Sequence, residues 1–428
     1  MHRTPQRHTA TGPSGRPPTA HPLSPFDRLF LPPGPDRPGR VPMAMLVLDF
    51  DGRAPHPQHL AARIRQRAPH LPALTVLRPE HDARVFPVCA EPPDPDVHLR
   101  YEQAATAADL PFLLADLLAR PLPAPPHPPW DLRVIRVGHV NRFHLCYRIH
   151  HAVQDGIGGA HTLLALAADD PTPGPFPHPP ARPTVRGILH AARELAAASR
   201  AARPRDPATG HPATSGRYSV DERDASERHL RELAHRHGSS VNDVCLAALA
   251  LALGRAPRGS RPAEGPGGFP VAVPMSYRTN AERHAPGNRM LGYRLLLPTT
   301  ARDLGEAVRL VRRTTEPLRR HRAKDSRRAA LALLPDRLAT AAAGAHTRAT
   351  AAVVTSMTYP EPARVAGARM TGASALFPPD ETLTAYISFT RACGRVRFTL
   401  VHDRSVRPPT ALPENWLDAL DTVPADPG

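Results

Sequence analysis

The sequence predicts an α+β protein made of two halves that a proline-rich linker joins. Apolar runs typical of strands alternate with amphipathic runs typical of helices, but without the strict strand–helix–strand order of a parallel sheet. Residues 169–183 are too rich in proline to form regular structure. We therefore predict a disordered tail at 1–22, halves at 23–168 and 216–428, and between them a linker at 169–215 that contains one helix.

Each element of the first half is predicted from its pattern of apolar residues. Continuous or alternating apolar runs predict strands at 41–50, 130–138 and 142–150, the last two joined by a tight turn. Apolar residues three or four positions apart predict helices at 56–68, 107–120 and 158–168. Pro111 fits the second helix because the first helical turn tolerates proline.

The second half follows the same two patterns. Helices are predicted at 184–202, 224–238, 239–254 and 301–315. Strands are predicted at 268–278, 290–298, 351–359, 383–391 and 395–403. Gly238 is expected to end one helix, and Ser240 to cap the start of the next.

Composition limits the classes of function. The 428 residues include 55 Lys and Arg against 39 Asp and Glu, and Lys324 is the one lysine. We attribute the net charge of +16 mainly to the bias of a GC-rich genome. A basic surface nevertheless attracts nucleic acid, anionic lipid or the phosphates of coenzyme A. Aromatic residues make up only 5%, which argues against a nucleic-acid partner, since such proteins stack bases on aromatic rings.

The cysteines and the apolar runs indicate a compartment. The four cysteines show no CxxC spacing, so we expect reduced thiols in a cytoplasmic protein. The N-terminal residues have no apolar stretch typical of a signal peptide. The longest apolar run, 245–253, is far shorter than the roughly 18 residues of a membrane span. Any membrane contact is therefore expected to be peripheral.

Candidate chemistry centres on two adjacent histidines, His150 and His151, which are followed by Asp155 and Gly156. Strand side chains alternate, so only one of the two histidines can face a cleft. A neutral imidazole there can act as a general base, because its pKa lies near neutral pH. Asp155 can lock the loop or pair with an arginine. Two other interpretations stay open: a purely structural pair, or a metal site formed by His144, His151 and Asp155.

Five segments of the chain stand in a characteristic order. Residues 150–156 read HHxxxDG, and LSPFDRLFL begins at Leu23. The other three are Pro121-Leu122 with Trp130, VNDVCLAALALAL from Val241, and VAVPMSYR from Val271 followed by GNRM. In these segments, over about residues 23–409, the chain resembles the bacterial wax ester synthase/diacylglycerol acyltransferase (WS/DGAT) family. That family is related to the condensation domains of peptide synthetases.

The resemblance implies a fold and a reaction. The fold would be a two-domain chloramphenicol-acetyltransferase-like fold, with the active site in a tunnel between the domains. The reaction would move a fatty acyl group from acyl-CoA to a long-chain alcohol or diacylglycerol, without a metal or other cofactor. His151 would be the catalytic base. It would take the alcohol proton as the oxygen attacks the thioester, and then protonate the departing CoA thiolate.

The resemblance also implies roles for the surrounding residues. Asp155 would be structural and paired with an arginine, for which Arg278 is the candidate. Gly156, Gly158 and Gly159 would leave room for the pantetheine arm or the acyl chain. The other supporting or substrate-binding positions are His150, Asn242, Asp243, Asn288, Trp130 and Ser276. A helix cap at 242–243 and a turn at 288 are the simpler alternatives.

Two segments depart from the family pattern, PPWD at 128–131 and TSMTYP at 355–360. The second lies near the cleft in related folds, so the acceptor stays open. One alternative is condensation-type transfer to an amine or a natural-product hydroxyl, from a CoA-bound or carrier-bound donor. Another is a non-catalytic lipid-binding protein.

One segment is strongly basic. Residues 309–328 carry nine arginines and lysines against two acids. They form either a solvated helix surface or a contact for anionic lipid heads or CoA phosphates. A peripheral position at the inner membrane or on lipid droplets is therefore among the expectations.

Overall fold

Two six-stranded β-sheets form the framework of the protein. Its structure is a computed structural model. The described residues are 21–31, 41–80, 82–171, 182–201, 215–255, 268–320, 323–348, 350–359, 363–379, 383, 385–405 and 411–421. Residues 1–20 of the predicted tail and much of the predicted linker lie outside them.

The first sheet is built on the strands of the first half. The elements in chain order are α1 (Pro25–Leu29), β1 (Met43–Asp51), α2 (Pro57–Arg67), α3 (Pro95–His98), β2 (Leu99–Ala104), α4 (Leu110–Ala119), β3 (Trp130–Val137), β4 (Arg142–His150) and α5 (Gly156–Ala167). The three predicted strands and three predicted helices are confirmed, and β2 is an addition. β1 runs antiparallel to β4 with Met43 opposite His150, which places the end of β4 beside the start of β1.

The second sheet is built from the second half. The elements are α6 (Val185–Ala201), β5 (Tyr218–Ser226), α7 (Glu227–Arg236), α8 (Val241–Arg255), β6 (Phe269–Ser276), β7 (Met290–Leu297), α9 (Leu304–Arg320), α10 (Ala323–Ala332), α11 (Asp336–Arg348), β8 (Ala352–Thr358), β9 (Arg364–Val365), β10 (Ala368–Leu376), β11 (Ala385–Ala392), β12 (Arg395–Asp403) and α12 (Leu412–Asp421). The strand order of this sheet is β5-β12-β11-β8-β6-β7. The α8 helix supplies much of its apolar core.

Two strands of the second half, β10 and the short β9, belong to the first sheet. The order of that sheet is β2-β3-β4-β1-β10-β9, and β10 pairs antiparallel with β1, Met45 opposite Leu376. The sequence analysis did not predict β10 and assigned 216–428 to one domain. Local pattern cannot show this crossing, because the partner strand lies more than 300 residues earlier in the chain. The two halves are therefore joined through a shared sheet.

The predicted helix at 224–238 was too long at its start. Residues 218–226 form β5, which pairs with β12 along its whole length, and the helix begins only at Glu227. Ser226 caps it by accepting a hydrogen bond from the backbone N–H of His229. The polar sequence of β5 has no clear alternation, so only its pairing with β12 reveals it as a strand.

A cluster of charged residues joins the two sheets. Arg397 of β12 donates to Asp49 of β1 (2.7 Å) and to Asp224 of β5 (2.7 Å). His144 of β4 bonds to the same Asp49 carboxylate at 2.7 Å. Burial tends to raise the pKa of Asp49, but the bonds from His144 and Arg397 outweigh it and lower the pKa to about 2. The cluster holds the sheets together where β1 ends.

None of the described helices is long and apolar enough to cross a bilayer. The apolar run at 245–253 lies within α8, where its side chains pack into the apolar core beside the second sheet.

All four cysteines are free.

Candidate active site

His151 comes directly after β4, and its ring lines a large internal cavity. His150, the last strand residue, turns the other way and is buried, with its Nδ1 accepting a hydrogen bond from the backbone N–H of Ala152 at 3.2 Å. The two histidines therefore point to opposite sides, as strand geometry requires. Of the two, only His151 faces space in which a substrate could lie.

Two phenylalanines hold the His151 ring. Phe30, just after α1, stacks on it with 4.0 Å between ring centroids. Phe377, just after β10, meets it edge-on at 5.2 Å. Burial lowers the pKa of His151 to about 4, and the nearby charge of Asp155 only partly opposes this. The imidazole is therefore neutral at cellular pH and free to accept a proton.

Asp155 and Arg278 form a buried ion pair beneath the histidine loop. The two side chains are 3% and 0% exposed, and Arg278 donates to both carboxylate oxygens, at 2.7 and 3.3 Å. Asp155 also accepts from the backbone N–H groups of Gly158 and Arg289, each at 2.7 Å. Burial tends to raise the pKa of Asp155, but Arg278 and these bonds lower it. The carboxylate stays ionised, and its bonds hold the start of α5 against the second half.

A second polar link positions His151 from the other side. The side-chain amide of Asn288 donates both to the His151 carbonyl and to Asp27, each at 2.8 Å. Asp27 belongs to α1 and also accepts from the backbone N–H of Asn288. Ser24 and Asp27 form a capping box, so the start of α1 is fixed. Asn288 therefore connects the histidine loop to α1, which in turn presents Phe30.

The cavity beside His151 has a volume of about 780 Å³. Strands of both sheets and helices of both halves line it, and most of the lining is apolar. Among the predicted site residues, Asp155, Gly156, Asn242 and Ser276 also line it. Its size suits a long aliphatic ligand, since small-molecule pockets commonly span ~300–1,000 Å³.

Comparison with models of protein families shows to which family the chain is related. The chain matches the wax ester synthase/diacylglycerol acyltransferase catalytic domain over residues 23–217 and the WS/DGAT C-terminal domain over residues 286–423. The chain belongs to the WS/DGAT family. Because it contains the catalytic domain of this family, this WS/DGAT protein is an acyltransferase. Comparison with curated proteins found no sequence match.

Solved structures share the fold. The wax ester synthase/diacylglycerol acyltransferase from Marinobacter aquaeolei VT8 has 18% identity and a TM-score of 0.60, covering 93% of this chain and 98% of that one. A starter condensation domain of rhizomide synthetase, in complex with C8-CoA and Leu-SNAC, has 15% identity and a TM-score of 0.59, covering 94% and 93%. The first condensation domain of the calcium-dependent antibiotic synthetase has 18% identity and a TM-score of 0.59, covering 94% of this chain and 96% of that one. The predicted two-domain α+β, condensation-domain-like fold is confirmed.

Two glycines of this WS/DGAT protein do not make room for a ligand, contrary to the prediction. A Cβ on Gly158 would lie 2.7 Å from the guanidinium carbon of Arg278, and one on Gly159 would lie 2.8 Å from Leu46. Neither glycine lines the cavity, whereas Gly156 does. Both glycines therefore admit the protein's own side chains. The sequence could not show which atoms would occupy the space that they leave.

The predicted substrate contact at Trp130 is also wrong. Trp130 is fully buried, stacks on His98 with 4.1 Å between ring centroids, and donates through Nε1 to the Leu74 carbonyl. It does not line the cavity, because it starts β3 and faces the apolar core of the first half. Its neighbour Asp131, in the divergent PPWD segment, pairs with buried Arg148. That divergence therefore lies outside the cavity.

Asp243 takes part in a helix cap, which is the simpler of the two roles considered for it. It forms reciprocal bonds with Ser240 at the start of α8, and it accepts from Thr315 and Arg319 of α9. Asp243 does not line the cavity, but its neighbour Asn242 does. The Oδ1 atom of Asn242 is buried without a hydrogen-bond partner in the described part of the chain.

The residues of the metal-site alternative do not come together. His144 bonds to Asp49 within the cluster between the sheets, whereas His151 and Asp155 line the cavity. In the described ranges, no three side chains of His, Cys, Asp or Glu could hold a metal ion together.

The rate of this WS/DGAT protein should depend on pH in an unusual way. We expect kcat/KM to stay level from pH 8 down to about pH 5 and then to fall as His151 becomes protonated near its pKa of about 4. A histidine of ordinary pKa would already lose half its activity near pH 6.5. The measurement is kcat/KM for a neutral alcohol acceptor across this range.

Stability must be followed in the same experiment. Burial lowers the pKa values of His151, His161 and His284 to about 4, so each is more easily protonated in the unfolded chain. Their contribution to stability is full above about pH 6.5 and is lost as pH falls through 4. Melting temperatures at each pH separate unfolding from titration. An activity midpoint near 6.5 in the folded protein would contradict the neutral, buried base.

Proposed function

We propose that the protein transfers a fatty acyl group from acyl-CoA to the hydroxyl of a long-chain alcohol or of diacylglycerol. The observation that carries this proposal is the position of a neutral, phenylalanine-stacked His151 on the wall of a cavity of about 780 Å³. A mostly apolar cavity of this size suits acyl chains. Membership of the WS/DGAT family supports the same donor and acceptors.

The proposed chemistry uses His151 twice. The imidazole removes the proton from the acceptor hydroxyl while the oxygen attacks the thioester carbon. When the tetrahedral intermediate collapses, the C–S bond breaks and the imidazolium returns the proton to the CoA thiolate. The products are an ester and free CoA, and the imidazole is neutral again, so no cofactor is consumed.

Asp155 does not relay protons in this scheme. Its two oxygens already accept hydrogen bonds from Arg278, Gly158 and Arg289, and it bonds to no atom of the His151 ring. We propose that it positions the loop, and that its charge favours the imidazolium formed during the reaction.

Polar groups on the cavity wall suit the polar part of the donor. Arg319, which pairs with Asp243 at the start of α8, and Lys324 both line the cavity. Asn242 also lines it, and its Oδ1 has no hydrogen-bond partner among the described residues. The cations suit the phosphates of CoA, and the amide oxygen suits an N–H donor of the pantetheine arm. The basic residues of segment 309–328 therefore differ in their surroundings. Arg319 and Lys324 line the cavity, whereas Arg327 is buried and pairs with Glu194.

One observation favours condensation-type transfer as a second candidate. Thr355, Ser356 and Met357, in the segment that departs from the family pattern, line the cavity. Hydroxyl groups at this place could bind a more polar acceptor, such as an amine or a natural-product hydroxyl. The donor could then be CoA-bound or carrier-bound.

A panel of acceptors tests the proposal. The full chain is incubated with labelled fatty acyl-CoA and equal concentrations of a long-chain alcohol, a diacylglycerol, a long-chain amine and an amino-acid thioester. We expect ester formation at least about tenfold faster than amide formation, which corresponds to about 1.4 kcal/mol of discrimination. Faster amide formation would favour the second candidate, and no product from any acceptor would contradict both.

We propose that the reaction takes place in the cytoplasm, at the surface of the inner membrane or of lipid droplets.

A further inference from the structure

Two helices of the second half, and the turn before one of them, leave large apolar side chains exposed. In the described part of the chain, nine large apolar side chains are exposed, and five belong to α6, to α11 or to the turn between α10 and α11. They are Val185, Leu189, Leu333, Leu334 and Leu338. Leu333 is 76% exposed and Val185 is 75% exposed. Single exposed apolar residues are ordinary, but several on neighbouring elements mark an interaction surface.

The helices α6, α10 and α11 form one packed layer. Their inner faces share a core, to which α6 contributes Leu195, α10 contributes Leu331 and α11 contributes Ala339. Gly187 of α6 lies so close to α10 that a Cβ there would be 2.4 Å from the Ser326 hydroxyl. The exposed side chains are therefore not the result of poor packing. They form the outer face of a layer whose inner face is already filled.

The outer face is positively charged. The exposed charged residues on these helices are Arg186, Arg193, Arg328 and Arg337, against Asp336 as the one exposed acid among their described side chains. Glu194 is partly covered and pairs with Arg327 at 3.0 Å. Exposed aliphatic side chains together with arginines on the same elements are typical of surfaces that enter the headgroup region of anionic membranes.

The same layer forms part of the cavity wall. Lys324 and Asp325 of α10 and Ala343 of α11 line the cavity that contains His151. The exposed face and the cavity are therefore the two sides of one helical layer.

We propose that the outer face of α6, α10 and α11, the docking face, binds an anionic phospholipid membrane. Its described exposed apolar residues are leucine and valine, which are under-represented among the residues that dominate protein–protein binding. Their combination with arginine instead matches the lipid interface. The inference rests on the proposed function for its purpose, which is to bring a lipid acceptor from the membrane to the cavity.

Vesicle sedimentation with the full chain tests the docking face. The vesicles contain phosphatidylcholine alone or phosphatidylcholine mixed with phosphatidylglycerol. We expect strong binding only to the mixed vesicles, and a loss of about tenfold or more in the double variants Leu333→Ser/Leu338→Ser and Arg193→Gln/Arg337→Gln. High salt should weaken wild-type binding and reduce the difference made by the arginine variant.

Matched variants elsewhere provide the controls. Phe112 on α4 is 64% exposed and Arg302 is also exposed, so Phe112→Ser and Arg302→Gln remove similar groups away from the docking face. Both should bind vesicles as the wild type does. The inference is overturned if the wild type does not bind anionic vesicles or if the controls lose as much affinity. It is also overturned if the leucine variant instead dissolves a dimer in size-exclusion chromatography.

Binding is measured without turnover, so the two proposals can fail separately. Melting temperatures should show that the variants stay folded. Acyl transfer to a short, water-soluble alcohol should be unchanged in the leucine variant, because the docking face lies outside the cavity. A wild type that binds vesicles through this face without any turnover would contradict only the proposed function.

Discussion

Replacement of His151 by alanine should reduce kcat by about 10²- to 10⁴-fold, the usual contribution of a general base. The variant removes the group that accepts the acceptor's proton but leaves the cavity, Phe30 and Phe377 in place. A modest loss of stability is expected because the imidazole packs between these two rings. Initial rates with labelled acyl-CoA, together with the melting temperature, provide the measurement.

His139→Ala is the matched control. His139 lies exposed in the turn between β3 and β4, so its loss should change neither the rate nor the melting temperature. A folded His151→Ala protein that keeps more than a tenth of the wild-type rate would rule out general-base catalysis at this position. If the variant also keeps the affinity of the wild type for lipid and its effect in cells, the non-catalytic lipid-binding alternative would be favoured.

Asp155→Asn should lower the free energy of unfolding by about 3–5 kcal/mol, the usual cost of breaking a buried ion pair at one partner. The change leaves the guanidinium of Arg278 buried without its counter-charge, and it replaces one of the two oxygens that accept from the backbone N–H groups of Gly158 and Arg289 by an NH2 group, which cannot accept. Activity should fall as well, because the start of α5 and the His151 loop would shift. Denaturant titration and initial rates measure the two effects.

Asp116→Asn serves as the control for this variant. Asp116 also pairs with an arginine, Arg120, but the two side chains are 55% and 40% exposed, so the loss should stay below about 1 kcal/mol. Asp155→Asn at full stability with lost turnover would give Asp155 a direct chemical role instead. Because the pKa of Asp155 is lowered in the folded protein, its contribution to stability should disappear as pH falls below about 4.

Much of the local structure could be predicted from pattern. The strands that are apolar along their length, such as β1 and β4, were predicted within a few residues, and so was the buried helix α8 with its Ser240 cap. These elements carry their own periodicity and caps. β5 and β10 were missed because their residues are polar or small, and they become strands only by pairing with distant partners.

The residues around His151 also include contacts that the local sequence could not predict. The segment around Asp27 and Phe30 was noticed for its resemblance to the family, and its capping box could have indicated a fixed helix start. Nothing in the local sequence of Phe377 indicated that it would meet His151. The roles of Gly158, Gly159 and Trp130 were wrong for a similar reason, since each depends on which distant side chain fills the neighbouring space.

From the amino-acid sequence alone, residue patterns predicted most of the α+β elements, and the order of five segments indicated the family. The resemblance to that family, rather than spacing by itself, indicated His151 as the base and Arg278 as the partner of Asp155. Only the tertiary structure decided that β10 completes the first sheet, that two phenylalanines enclose His151, and that three helices combine an outer docking face with a cavity wall. These features arise from contacts between residues far apart in the chain, whose register and packing no local pattern encodes.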